Sequence, residues 1–206
     1  MKLHHHPMSQ HARRVRMLCH ELGLNPQLVL VALERGEHRL ASFTALNLAH
    51  AVPVLEDDGL VLAESHTIMR YLCDKHDGQR FYPRDAASRA FVDQWLDWTH
   101  CKLNPPIQTR FIQLFMFKDK ADPAVLSAAE HELTDALAVL GAGLAAQRGI
   151  GGKQPTLADL AIASSLALYE ATGASIDAPA VGRWYREQKR SAAFKATDPA
   201  IPSGAK

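Results

Sequence analysis

The sequence predicts two domains, a small α/β domain followed by an all-helical one. Three observations carry that expectation. Strand and helix signals alternate through roughly the first 77 residues and then the strand signals stop. The polar stretch DGQRFYPRD (77–85), which contains Pro and Gly, falls at the change. Beyond it the chain reads as a series of helical segments separated by breakers. The expected division is 1–77 for the α/β domain, 78–85 for a linker and 86–206 for the helical domain.

Residues 1–5 suit a short strand. From His11 to Leu22 the apolar residues Val15, Leu18, Cys19 and Leu22 recur at helical spacing, and Gly23 is a natural stop. QLVLVAL (27–33) reads as a buried strand, and ASFTALN (41–47) as one or two helical turns. In VPVLEDDGLVLAES (52–65) two β-rich runs flank Asp58-Gly59, a strong hairpin signal. A helix from Ser65 runs through Ile68, Met69 and Leu72 and stops near Gly78. The order is β-α-β-α-β-β-α. Helices follow at 86–103, 107–118, 123–147, 156–172 and 179–189, with Asn104-Pro105-Pro106 breaking the first. GIGGKQP (149–155) is a loop, Thr156 and Asp159 fit a capping box, and the tail from Asp198 is expected to fray. No internal repeat is visible.

Composition narrows the function. A chain of 206 residues that is 47% hydrophobic and 22% charged can bury a core. A net charge of +1 gives no electrostatic reason for a nucleic-acid or membrane partner. Cys19, Cys73 and Cys101 are odd in number and widely spaced, with no CxxC, which fits a reducing compartment and neither a disulfide framework nor a zinc site. With no apolar leader and no apolar run of membrane-span length, a cytoplasmic protein is expected.

The opening HHHPMSQHARRV raises the first chemical question. On a strand His4 and His6 point one way and His5 the other, so the three cannot face one metal ion. Ser9 follows Pro7 and stands just before the first helix. There it can cap the helix, or offer a hydroxyl to an anion drawn by free N–H groups and the helix dipole. Val52-Pro53 opens a strand where proline is uncommon; a cis-proline turn explains it and leaves the backbone of Val52 open to an extended ligand. Glu64-Ser65 stands at the next helix N-terminus, a second place for an anion or a cap.

Taken in order, HHHPMSQHARRVRMLCHELGL, GEHRLASFTALNLAHAVPVLEDDGLVLAES, HTIMRYL, TLADLAIASSLALY and VGRWYREQKRSAAFKA resemble the cytosolic glutathione S-transferases over nearly the whole chain. The spacing from Ser9 to Arg13 and Val15 is similar to the serine-type branch, with theta, delta and many bacterial members. The resemblance implies a thioredoxin-like domain, then an all-α domain, in a cytoplasmic homodimer that takes glutathione as co-substrate and needs no metal. Ser9 matches the catalytic serine, which hydrogen-bonds the glutathione sulfur. Val52 and cis Pro53 match the backbone partner of the cysteinyl part. Glu64 and Ser65 match the γ-glutamyl site, with His66 beside them. His38 and His50 match positions that hold the glycyl carboxylate. An apolar electrophile is expected between the domains, near Pro7, Met8, His100, Asn104 and Phe111; His100 and Asn104 are four apart and should share a helix face. The chain departs from the family pattern at His4, where tyrosine is common, and at Gln10, where a small residue is. It departs again at Leu48, where the usual Asn-Pro pair has its proline, and at His66, where arginine is frequent. Peroxide reduction and hydrolytic dehalogenation use the same thiolate. The rival expectation is a non-catalytic transferase-like module that binds partner proteins. A cysteine-based thiol oxidoreductase is disfavoured, because no cysteine lies in the active-site loop.

Overall fold

The computed structural model describes residues 1–199. They form two compact units, one of residues 1–76 with the segment from 191, the other of residues 77–190.

The first unit is built on a four-stranded sheet. Its strands are β1 (Lys2–His5), β2 (Gln27–Leu30), β3 (Val54–Asp57) and β4 (Leu60–Leu62), in the spatial order β2-β1-β3-β4. β1 pairs parallel with β2 and antiparallel with β3, and β3 pairs antiparallel with β4. The helices are α1 (Gln10–Glu21), α2 (Ala41–Thr44) and α3 (Ser65–Lys75), so the expected β-α-β-α-β-β-α order is observed. α1 turns Ala12, Val15, Leu18 and Cys19 inward, and α3 turns Ile68, Met69, Leu72 and Cys73 inward, each at the i, i+3, i+4 spacing of an apolar stripe. The two helices pack on each other, and α3 also packs on β3. A second cluster of Val31, Phe43, Val52 and Val54 lies under α2. At the hairpin tip Asp58 (φ 49°) and Gly59 (φ 85°) both take positive φ, as a two-residue turn between twisted strands requires.

One strand differs from expectation. QLVLVAL has the composition of a buried strand, yet β2 ends at Leu30, and Leu28 (46%) and Leu30 (55%) are exposed. β2 pairs on one side only, so an apolar run marks an edge strand here. Its buried part, Val31-Ala32, lies beyond the strand and leads into 3₁₀ turns at Leu33–Arg35 and Glu37–Arg39.

His5 is a buried histidine at the end of β1. Burial first, then the nearby charges of Arg16 and His6, pull its pKa from 6.5 down to about 4. The unfolded chain therefore takes up a proton that the folded chain refuses.

The second unit contains α4 (Ala86–Trp98), α5 (Asn104–Phe111), α6 (Pro123–Ala146), α7 (Leu157–Ala171) and α8 (Pro179–Arg190). α7 is buried on almost every side and packs against α4, α5 and α8. Asp159 in its first turn accepts N–H hydrogen bonds from Thr156 (2.8 Å) and Gly151 (2.9 Å) and one from the Trp184 indole (3.2 Å). The cap thus ties α7 both to the preceding loop and to α8. Residues 78–85 do more than connect: Phe81 and Tyr82 are buried, and the Phe81 carbonyl accepts the Leu157 N–H at 3.0 Å.

The prolines at 105 and 106 do not break the chain. A π-helical stretch, Thr99–Leu103, carries α4 directly into α5, with prolines in the first turn of α5. Longer i→i+5 bonding upstream relaxes the demand for the amide hydrogens that proline lacks. A second π stretch, Ile112–Phe117, follows α5.

A short helix not expected from the sequence, α9 (Ala192–Ala196), packs on α1 in the first unit. Arg13 donates to the Phe194 carbonyl (3.1 Å), pairs with Asp198 (3.1 Å) and lies 4.1 Å over the Phe194 ring. Residues 200–206, most of the expected frayed tail, lie outside the described residues. Among the described residues no helix is long and apolar enough to cross a membrane.

Two stability outcomes follow from this packing. Asp159→Ala strands buried donors and should lower unfolding free energy by about 3 kcal/mol in urea denaturation. Through His5, stability should be full above pH 6.5 and fall by up to about 3 kcal/mol as pH drops toward about 4. The same titrations on His5→Phe should show a shallower fall.

Candidate functional site

Sheet topology gathers the candidate residues at one edge. β1 and β4 both run antiparallel to β3, so they run in the same direction. α1 follows the C-terminal end of β1, and α3 follows that of β4. Their N-termini therefore emerge at the same sheet edge, where β3 also begins. His4 pairs with Val54, which places Val52 and Pro53 just ahead of β3 beside the chain leaving β1.

Ser9 is the N-cap of α1. Its backbone is extended (φ −78°, ψ 112°) and its Oγ accepts the Ala12 N–H at 3.2 Å. The capping role and the functional role are compatible. A hydroxyl has one proton to donate and two lone pairs. The cap uses a lone pair, and among the described residues nothing accepts the Ser9 O–H. Ser9 is half-buried, as are Pro7 and Met8 in the turn before it, where the Met8 N–H reaches His6 Nδ1 at 3.2 Å. Gln10 is buried, and both polar atoms of its amide lack partners.

The neighbouring histidines face different ways. His4 Nε2 lies 2.7 Å from Glu56, His6 Nε2 lies 3.3 Å from Glu34, and His5 is turned inward.

The Val52-Pro53 peptide is cis and both residues are buried. At the start of α3, Glu64 is exposed and holds φ 65°, ψ 110°, strained for a residue with a side chain. Its carbonyl accepts the Ile68 N–H at 2.9 Å, so the helix begins in earnest behind it. The amides of Ser65, His66 and Thr67 belong to the first turn, which has no intrahelical acceptors. Ser65 is buried, and its hydroxyl makes no hydrogen bond among the described residues. His66 Nε2 is 2.5 Å from Nη1 of Arg14, a fully buried arginine on α1.

His38 lies in the 3₁₀ turn Glu37–Arg39, with a buried Nδ1 that has no partner. Exposed His50 (φ 54°) sets its Nδ1 3.1 Å from the His38 carbonyl and 3.3 Å from Thr44 Oγ1. A carbonyl can only accept, so Nδ1 carries a proton. Leu48 points to solvent, and Asn47 holds the turn instead, donating to Ala51 O (2.8 Å) and accepting the Ala49 N–H (3.0 Å). These two side-chain hydrogen bonds brace the loop before His50.

The helical candidates separate. Asn104 is buried and its Oδ1 accepts from Ser165 at 2.7 Å, whereas His100 is exposed. Although four residues apart, the two differ in surroundings: Asn104 is turned into the helical unit and His100 to solvent. Half-buried Phe111 stacks on Phe115 at 5.1 Å. Cys19 and Cys73 are buried, and burial pushes the Cys19 thiol up to about 12, so it is no nucleophile at neutral pH.

Residues 3–80 match the glutathione S-transferase N-terminal domain, and residues 123–187 match the glutathione S-transferase C-terminal domain. The chain belongs to the glutathione S-transferase family. It is 32% identical to glutathione S-transferase 3 of Zea mays, over 98% of this chain and 95% of that one. It is 30% identical to glutathione S-transferase 2 of Anopheles gambiae, over 78% and 76%. Among solved structures, a delta-class glutathione transferase of Nilaparvata lugens matches at TM-score 0.85 and 31% identity, over 96% and 92% of the two chains. A glutathione transferase of Populus trichocarpa matches at TM-score 0.85 and 27% identity, over 95% and 96%. The transferase fold expected from the sequence, a thioredoxin-like sheet domain with a helical domain, is the fold observed.

Arg14, which meets His66, was not among the residues singled out from the sequence. It stands four residues before Leu18, on the buried face of α1, and that spacing was the available signal.

Glu64→Gly should relieve the positive φ and leave the unfolding free energy equal or higher, by up to about 1 kcal/mol. A clear loss of stability in the same denaturation assay would mean that the Glu64 side chain holds the turn.

Proposed function

We propose that this chain conjugates glutathione to small electrophiles, with Ser9 stabilising the thiolate. The observation that carries the reading is the Ser9 hydroxyl, which caps α1 through a lone pair and keeps its proton to donate. A free thiol is only a few per cent ionised at neutral pH, and the thiolate is the nucleophile. Ser9 O–H donates to the sulfur, and the N-terminus of α1 adds favourable potential there. The thiolate then attacks an electrophilic carbon: a carbon–sulfur bond forms and the leaving group departs with its electron pair. The thiol proton goes to solvent.

The tripeptide is read along the sheet edge. The backbone of Val52, ahead of cis Pro53, pairs with the cysteinyl part. The first-turn amides of α3 and the Ser65 hydroxyl take the γ-glutamyl carboxylate, and Glu64 takes the ammonium. His50 and His38 flank the glycyl end. The serine-type assignment, close to theta and delta members, rests on Ser9 being the hydroxyl at this position, and assembly as a homodimer is part of the same proposal.

Ser9→Ala should cost about 1 kcal/mol of stability as a lost cap and reduce turnover on a model aryl halide by at least about 100-fold. Wild-type turnover in that variant would rule Ser9 out. Calorimetric titration in two buffers should show proton release with glutathione and none with S-methylglutathione. Absence of binding at millimolar glutathione would instead favour a protein-binding module.

A further inference from the structure

We propose that Arg14 is a positioning residue for glutathione: it donates to Nε2 of His66 and holds that imidazole neutral, with its proton on Nδ1, at the N-terminus of α3. The inference rests on the reading that this terminus takes the γ-glutamyl end.

The chemistry of the pair fixes the direction of its hydrogen bond. A guanidinium has five donors and no acceptor. At 2.5 Å from Nη1 of Arg14, His66 Nε2 must therefore present its lone pair. Arg14 is fully buried, which is rare for arginine and expensive for any charge. Burial lowers its pKa to about 9, still above neutral pH, so it remains a cation. A second positive charge on the adjoining ring is opposed by the first. Only one protonation state of His66 fits: neutral, with hydrogen on Nδ1.

His66 is the second residue of α3 and follows Ser65 directly. A ring held in one tautomer adds a fixed donor next to the first-turn amides of Ser65 and Thr67. A ring free to turn, exchange tautomers and protonate must be ordered each time the ligand binds. Arg14 itself is sealed from solvent, so it acts through His66 without touching substrate. Preorganisation of this kind strengthens the ground state and the transition state equally. It therefore belongs in KM and leaves kcat nearly alone.

The test has two arms. Long-range proton–nitrogen spectra of histidine-labelled wild type, assigned with His66→Gln, should show His66 as the Nδ1–H tautomer at pH 7. An Nε2–H tautomer or an imidazolium would overturn the proposal. In steady-state kinetics, Arg14→Met should raise KM for glutathione about tenfold with kcat within about twofold. Arg14→Lys, which keeps a cation and a donor, should fall between that variant and wild type. A Met variant with unchanged KM, or one that loses kcat as much as kcat/KM, would overturn it. If the Met variant does not fold, Arg14→Lys and the wild-type tautomer decide. Wild type that binds no glutathione would overturn the reading of the site itself; wild type that binds it while Arg14→Met leaves KM unmoved would overturn only the role of Arg14.

Discussion

The packing of α1 against α3 is the constraint on which the first unit and its site depend. Two helices that follow parallel-running strands must start at one sheet edge. Each start leaves free N–H groups and the positive end of a helix dipole. Because the apolar stripes of the two helices pack on each other, neither start can move without opening the core that holds Leu18 and Met69. The third part of the edge, the turn before β3, is fixed by strand register to within one residue of the chain leaving β1. The geometry of the site is therefore a by-product of a core that the chain must form to fold at all.

The same dependence explains what could be read from the sequence. Elements with a strong local cause were legible: Asp58-Gly59 for the hairpin, Gly23 for the end of α1, Asp159 for the cap of α7. The placement of Ser9, Val52, Glu64 and Ser65 at a helix start or a turn was legible because its cause is local; what these residues do there belongs to the proposal. What failed had a non-local cause. β2 is an edge strand because of what does not pair with it, and its apolar composition carries no trace of that. Asn104 and His100 were placed together by counting residues, but Asn104 is drawn inward by Ser165, a partner 61 positions away, while His100 stays exposed. α9 holds to α1 through Arg13, a contact across 181 positions of chain that no window on the sequence contains.

Arginines 13 and 14 show how a polar residue can be structural and still bear on the chemistry. They are adjacent on α1 and point to different partners. Arg13 fastens the segment after Ser191, and Arg14 meets the first turn of α3. Two buried cations on an amphipathic helix would be poor design if burial were the only aim, since apolar residues of similar volume pack as well without desolvation. Their retention makes sense if each specifies an arrangement, one for the chain terminus and one for a ring beside the site.

The magnitudes bear on how little machinery the proposed chemistry needs. Lowering a thiol pKa by about two units takes roughly 2.7 kcal/mol of preferential stabilisation of the thiolate. A charge-assisted hydrogen bond contributes about 1.5–3 kcal/mol, and a helix N-terminus about 0.3–1. One hydroxyl on one helix start is enough, with neither a metal nor a general base in the sum. The requirement passes instead to placement: the sulfur must arrive at Ser9 each time, and a hydrogen bond weakens steeply once its geometry is lost. In the proposed function, placement falls to the cis turn before β3 and to the first turn of α3, which lie at the same end of the sheet as Ser9. On this account, residues that never meet the sulfur set how often its single hydrogen bond is made.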